Sequence, residues 1–315
     1  MDAVPHGGRV EGPAPPQTDP GIAPPRADFA AVGAAEGRGG MAAASDLVLD
    51  LCRQWGLERE DERSWVVAEG GCNGVVMPVL RGSERCVLRV VWPPAKTAVE
   101  ARALEAWGGR GAVRLLAARP EMGALLLERL AAERSLQRVP LSEAAEVAGR
   151  LLRRLAVPAP VGIPRLQEAA ARTEASLPER QYRLGRPIPQ RWVDAAKSLA
   201  GELGATAAQL LIHADLHYGN VLAGEREPWL AIDPKPVVGD PEVAVAEMLW
   251  GRLDETDGAP ALRHLLSVLV DSAGLDAARA RGWAVVRCVD YWLWGLENGL
   301  TEDPERCRRI LEVLA

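Results

Sequence analysis

Residues 209–242 read QLLIHADLHYGNVLAGEREPWLAIDPKPVVGDPE. An apolar run, Leu210-Leu211-Ile212, leads into His213; Asp215 stands two residues further on and Asn220 five beyond that. Trp229-Leu230-Ala231-Ile232 reads as a strand and ends at Asp233, 13 residues past Asn220. Phosphoryl transfer from ATP asks for such a set. One carboxylate orients an acceptor hydroxyl and takes its proton, while an amide oxygen and a second carboxylate hold Mg²⁺ against the triphosphate. Asp215, Asn220 and Asp233 fit those roles in that order, with His213 beside Asp215 as a second catalytic candidate. A lone Asp-X4-Asn also occurs in caps and turns. Here His, Asp and Asn share one loop between apolar runs, and a further Asp ends the next strand.

Outward from this stretch the two sides of the chain differ. From Trp65 to Leu130 short apolar runs (Trp65-Ala68, Val75-Leu80, Cys86-Val91, Val113-Ala117, Ala124-Leu127) alternate with Gly, Pro and charged residues and predict strands, with one helix over Ala98-Trp107. After Leu130 the spacing turns helical. Ser142-Leu155, Arg165-Ala175, Gln190-Leu203, Glu242-Trp250, Ala261-Ala273, Asp276-Leu296 and Pro304-Leu314 repeat apolar residues near every 3.6 positions. The expected architecture is α+β, with a sheet-rich lobe over 45–130 and a helical lobe over 131–315 that carries the catalytic loop and the acceptor site.

Residues 1–44 hold seven prolines in the first 25 positions and predict a disordered tail, because little apolar surface is available to offset chain entropy. Ser45 reads as a helix N-cap ahead of Leu47, Leu49, Leu51 and Trp55, and Met41 just before it as a true or alternative start. A net charge of -6 argues against a dedicated nucleic-acid partner. No apolar stretch approaches the roughly 20 residues of a membrane span. Five scattered cysteines without CxxC spacing predict reduced thiols and a cytoplasmic protein, not a zinc site or a disulfide framework. The basic residues are arginines except for Lys96, Lys197 and Lys235.

HADLHYGN followed by IDPK resembles the HGDLHxxN and IDxK signature of the aminoglycoside phosphotransferase family. EREPWLAIDPKPVVGDP, GALLLERLA at 123–131 and VDYWLWGLENGLTEDP at 289–304 look like its streptomycin 6-phosphotransferase and hydroxyurea phosphotransferase branch. The likeness runs from about Leu47 to the C-terminus. It implies a two-lobed, protein-kinase-like fold with a small antiparallel-sheet lobe and a larger, mainly helical one. It further implies ATP and Mg²⁺ as cofactors, Asp215 as catalytic base, Asn220 and Asp233 as metal ligands, and Glu128, Arg129 and Leu130 as a hinge that reads adenine through its backbone. The expected acceptor is a small hydroxylated, cationic molecule such as streptomycin. Hydroxyurea, another metabolite alcohol, or a nucleotide-binding pseudokinase with impaired transfer are the alternatives.

Within the small lobe, Gly70, Gly71 and Gly74 either let backbone amides approach the phosphates or form a plain hairpin turn. Arg89 stands where the resemblance places a lysine for the α- and β-phosphates, and Glu100 on the following helix is its expected partner. Alternation in Cys86-Val91 puts Val87, Arg89 and Val91 on one face, so Arg89 needs such a partner. Two more positions depart from the family: Ala214 replaces a glycine, and Ala244 replaces an aspartate that supports the catalytic loop, with Glu242 or Glu247 as substitutes. For a cationic acceptor the acidic candidates are Asp290 and Glu297, seven apart on one helical face, and Asp254 and Glu255. Trp283 and Trp292 have the spacing of core residues.

Overall fold

The computed structural model describes residues 39–60, 66–67, 73–92 and 94–315. In the N-terminal part, β1 (Leu57–Arg59), β2 (Val66–Val67), β3 (Asn73–Arg81), β4 (Glu84–Trp92), β5 (Leu115–Arg119) and β6 (Ala124–Glu128) build one antiparallel sheet. Its order is β1-β3-β4-β6-β5, with β2 also paired to β3. Alternation assigns the two faces. Cys86, Leu88 and Val90 of β4 join Met77, Val79, Ala124 and Leu126 in a core that packs on Val48 and Leu51 of α1 (Gly39–Trp55). Leu125 and Leu127 point the other way and enter the main core with Ala101, Leu104 and Trp107 of α2 (Thr97–Trp107). Gly123, at φ +70°, turns the chain into β6, where an added Cβ would lie 2.1 Å from the Val91 carbonyl oxygen. Only glycine fits both the left-handed backbone and that contact.

The C-terminal part is helical: α3 (Leu141–Leu155), α4 (Leu166–Arg183), α5 (Gln190–Ala205), α6 (Val245–Trp250), α7 (Gly258–Ala273), α8 (Ala277–Glu297) and α9 (Glu302–Leu314). α8 is its centre, with Trp283, Val286, Val289 and Leu293 fully buried and Trp292 nearly so. Two small sheets lie between the helices. One is β7 (Ala131–Ser135), β10 (Val221–Ala223) and β11 (Leu230–Ala231); the other is β8 (Val157–Pro158), β9 (Leu210–His213) and β12 (Pro236–Gly239).

The helix expected from Ser45 already runs from Gly39, so Ser45 lies inside α1 and does not cap it. Residues 1–38 of the expected tail lie outside the described residues. α4 continues to Arg183, eight residues past the expected end at Ala175, with Pro178 inside it. Proline removes one N–H and disfavours continuation, but buried Thr173, Leu177 and Gln181 hold the helix by packing. Glu242 belongs to a 3₁₀ turn, Pro241–Ala244, ahead of the short α6. β7 was not expected: its Ala-Ala-Glu-Arg-Ser sequence shows no apolar alternation, and its middle residues are exposed.

Candidate active site

Backbone pairing brings the two halves of the motif together. β9 and β12 pair with His213 opposite Pro236, and the Ala214 N–H donates to the Lys235 carbonyl oxygen at 3.1 Å. β10 and β11 pair with Val221 opposite Ala231, so the Ile232 N–H donates to the Asn220 carbonyl oxygen at 2.9 Å. The loop 213–220 and the segment 232–235 therefore lie side by side, each between a strand of one small sheet and a strand of the other.

His213 is buried and both ring nitrogens are engaged. Nε2–H donates to the Ile232 carbonyl at 3.0 Å, and Nδ1 accepts from the Asp215 N–H at 3.2 Å. Burial holds its pKa below the ordinary histidine value. A neutral ring bonded at both nitrogens and stacked 6.2 Å from Trp107 has no proton to exchange with a substrate. The structure places His213, expected as a second catalytic candidate, as a buried ring that ties the Asp215 N–H to the Ile232 carbonyl.

Asp215 is 3% exposed. One carboxylate oxygen, Oδ2, lies 2.8 Å from the Lys235 ammonium, and the other, Oδ1, is buried with no hydrogen-bond partner among the described residues. The Asn220 Nδ2 donates to the Asp215 carbonyl oxygen at 3.0 Å, which orients the Asn220 Oδ1 as a remaining oxygen donor. Asp233 is exposed and sits in the left-handed region at φ +51°, strain that its position just after β11 imposes on a residue with a Cβ. An amide oxygen and a carboxylate are hard donors of the kind Mg²⁺ takes together with phosphate oxygens, so Asn220 and Asp233 fit that ion.

Arg89 joins the two parts of the chain. Its Nη1 donates to Glu100 at 2.5 Å and its Nη2 to Asp233 at 2.7 Å. Glu100, on α2, is buried, and burial raises its pKa against the lowering effect of Arg89. The expected Arg89–Glu100 pair is present; the contact with Asp233 was not expected. Gly70 and Gly71 lie outside the described residues. Gly74 lies in β3 opposite Val91, and an added Cβ there would stand 2.9 Å from the Val90 carbonyl oxygen. Strand contact alone accounts for that glycine. In the segment expected as a hinge, the Glu128 N–H donates to the Arg114 carbonyl oxygen and the Arg129 N–H to that of Arg85. The Glu128 carboxylate holds Arg226, and the Arg129 side chain reaches Glu60 and the Cys86 carbonyl oxygen. Leu130, the third residue of that expected segment, is half-buried.

Of the two carboxylates offered in place of an aspartate at 244, the structure puts Glu247 within electrostatic range of Asp215. Glu247 is fully buried on α6, ion-paired with buried Arg287 of α8, and within the electrostatic reach of Asp215 and Lys235. Burial raises its pKa. Glu242 instead accepts from the Asp276 N–H at the start of α8. The four acceptor candidates already hold guanidinium groups of the chain itself. Arg180 of α4 clasps both Asp290 and Glu297, Arg183 also reaches Glu297, Arg306 and Arg309 hold Asp254, and Arg252 holds Glu255. Lys235, Arg180 and Arg287 were not singled out as site residues. Two sequence signals pointed to Lys235: it closes the IDPK stretch, and lysine is scarce elsewhere in the chain.

The chain matches the family described as aminoglycoside/hydroxyurea antibiotic resistance kinase over residues 64–299. It is 37% identical to a streptomycin 6-kinase of Streptomyces glaucescens over 88% of this chain and 91% of that protein. It is 40% identical to a hydroxyurea phosphotransferase of Kitasatospora aureofaciens over 90% of this chain and 82% of that protein. Among solved structures, aminoglycoside phosphotransferase APH(4)-Ia superposes with a TM-score of 0.58 at 14% identity, covering 86% of this chain and 99% of that one. Choline kinase LicA from Streptococcus pneumoniae superposes with a TM-score of 0.56 at 13% identity, over 87% of this chain and 99% of that one. Among the described residues no helix is long and apolar enough to cross a membrane.

Proposed function

The chain belongs to the aminoglycoside/hydroxyurea antibiotic resistance kinase family and is a phosphotransferase that acts on a hydroxyl group, and from that premise we propose that it transfers the γ-phosphoryl group of ATP to streptomycin or a close aminocyclitol. The observation that carries the reading is the state of Asp215: a buried carboxylate fixed through one oxygen, unpartnered at the other, beside an amide and a second carboxylate. An acceptor hydroxyl that donates to the second oxygen is aligned for attack, and its proton has a place to go. Asn220 and Asp233 would hold Mg²⁺, which supplies charge neutralisation for the β- and γ-phosphates. The sheet packed over them would cover the nucleotide, with the Glu128–Leu130 segment beside the adenine.

Streptomycin as acceptor rests on the named relatives and not on Asp254, Glu255, Asp290 or Glu297, which the chain's own arginines occupy. Hydroxyurea is the competing acceptor because the relative of that name is 40% identical. The test is to incubate the purified protein with Mg-ATP and either compound and to identify the product by mass spectrometry and ³¹P NMR. Phosphorylated streptomycin is expected. Transfer to hydroxyurea alone overturns the acceptor, and nucleotide binding with transfer to no alcohol in a wider aminoglycoside panel would make the chain a pseudokinase.

A further inference from the structure

Asp215 and Asn220 stand at the two ends of one short segment, and two large side chains between them, Leu216 and Tyr218, are fully buried. The segment is braced from within. The Asn220 N–H donates to the His217 carbonyl oxygen at 2.9 Å, and the Asn220 Nδ2 returns to the Asp215 carbonyl oxygen. These bonds set the shape of the segment but not its seat in the protein. Tyr218 reaches outward. Its hydroxyl is buried with no hydrogen-bond partner among the described residues, a cost that phenylalanine would avoid, so the ring is the part that the fold uses.

Against that ring lies Arg252. Its guanidinium carbon stands 5.4 Å from the ring centroid. Gly251, just before it at the end of α6, makes the approach possible: an added Cβ would stand 2.9 Å from the Glu247 carbonyl oxygen and 4.0 Å from the Tyr218 Cδ2. Arg252 is 7% exposed, and its plane is fixed at both ends. Nη1 donates to the carbonyl oxygens of Leu136 at 3.1 Å and Val139 at 2.8 Å. Nε and Nη2 donate to the two carboxylate oxygens of Glu255 at 2.6 and 2.5 Å. Burying a guanidinium is expensive, and methionine or leucine would fill the space without that cost. What arginine adds is a rigid plate: four hydrogen bonds keep its planar fork from turning, and its face lies on the tyrosine. Arg252 thereby joins the 3₁₀ turn Leu136–Arg138 ahead of α3, the 3₁₀ turn Leu253–Glu255 after α6, and the segment from Asp215 to Asn220.

Resting on the phosphotransferase reading above, we propose that Arg252 is a positioning residue for phosphoryl transfer: its fixed guanidinium holds the Tyr218 ring and, through it, keeps Asp215 and Asn220 in place. Arg252 acts through the ring and needs no contact of its own with substrate or metal. A base works only within hydrogen-bond reach of the hydroxyl it serves, so a small displacement of the segment is costly.

The test reads the segment directly, by hydrogen exchange of its backbone amides in the full chain without nucleotide or acceptor. Arg252→Met and Tyr218→Leu are each expected to speed exchange at Gly219 and Asn220 by about tenfold, the scale of one desolvated cation–π contact, with the amides of α8 unchanged. The double variant is expected to exchange about tenfold faster as well, not about a hundredfold, because the second change removes a contact already lost. Tyr218→Phe keeps the ring and is expected to exchange as the parent does; Arg252→Lys keeps the charge without the fork and should fall between the parent and Arg252→Met. In the transfer assay, kcat is expected to fall by about tenfold in Arg252→Met and Tyr218→Leu, with the KM for Mg-ATP changed by less than about threefold, a split that lost stability alone does not produce. The proposal is overturned if the two substitutions multiply, if Tyr218→Phe opens the segment as Tyr218→Leu does, if exchange speeds up equally throughout α8, or if the segment opens and kcat does not fall. Where Arg252→Met folds poorly, as melting temperatures would show, Tyr218→Leu and Arg252→Lys carry the same comparison. If the parent transfers phosphate to no acceptor, the reading in the preceding section fails, while exchange still decides whether Arg252 holds the segment.

Discussion

Arg89 and Asp233, 144 residues apart, meet at 2.7 Å and tie the sheet of the N-terminal part to the segment that follows β11. The same guanidinium holds Glu100 at 2.5 Å. If Asp233 is a ligand of Mg²⁺, as proposed, it would exchange a guanidinium for a cation of higher charge when Mg-ATP binds. A lysine at 89 has one compact ammonium in place of a fork and cannot serve both carboxylates equally well. Arg89→Lys is expected to keep Glu100, free Asp233, and tighten Mg-ATP by about three- to tenfold, a modest change because the Asp233 side of the pair is half exposed and screened. Arg89→Ala is expected to lose both nucleotide affinity and stability, since it strands buried Glu100. Isothermal titration with Mg-ATP decides it: weaker binding in Arg89→Lys means that the site has adapted to arginine.

Asp215 and Asp233 separate chemistry from binding. Asp215→Asn should lower turnover by roughly two to four decades, the scale of losing a general base, and leave Mg-ATP affinity nearly unchanged. Asp233→Ala should weaken Mg-ATP itself, seen as loss of the melting-temperature rise that Mg-ATP produces in the parent. Equal turnover in Asp215→Asn, or an undiminished Mg-ATP shift in Asp233→Ala, removes the corresponding role.

Arg287 and Glu247 are both buried and paired, so either one alone is a charge without compensation. Arg287→Met should cost about 3–5 kcal/mol of stability, read from the urea midpoint at constant slope. Glu247→Gln with Arg287→Met should recover most of it, because a neutral amide replaces the stranded carboxylate. A single variant as stable as the parent would show that water reaches Glu247.

His213 makes folding sensitive to acid. Its pKa in the folded state lies below 6.5, the value it takes when unfolded, because the ring is buried. Between those two values the unfolded chain binds more protons, so stability rises with pH and is lost as pH falls below about 6.5. The slope from one such group is at most about 1.4 kcal/mol per pH unit. His213→Gln should flatten the stability profile between pH 6.5 and 5 relative to the parent. The comparison is a difference, so the opposite trends of Glu100 and Glu247, whose pKa values are raised, cancel. Parallel profiles for parent and variant would mean that His213 titrates as an exposed ring does.

Chain order and local pattern made the strands β2–β6 and the helices around α8 readable in advance, and singled out Asp215, Asn220 and Asp233 as one candidate set. Each is written in short-range spacing. What escaped depends on partners far away along the chain. Asp290 and Glu297 look like open carboxylates until Arg180, 110 and 117 residues earlier, is seen to clasp them. The burial of His213 and the hydrogen bonds at both its ring nitrogens are invisible in the motif alone. Lys235 was visible as one of three lysines, but its contact with Asp215 exists only because β9 and β12 pair. Arg89 and Glu100 were the exception: a charge on an otherwise apolar strand face demanded a partner, and the next helix offered one.

The near absence of lysine gives the candidate site a chemical address. An amine-selective acylating reagent meets three side-chain amines on the chain: Lys96 and Lys197, both exposed, and Lys235, partly exposed beside Asp215. The first two serve as internal standards for labelling. The extent of acylation at Lys235, read by peptide mass spectrometry against them, then becomes an occupancy gauge for the surroundings of Asp215 in crude as well as purified preparations, without isotopes, fluorophores or a substituted residue.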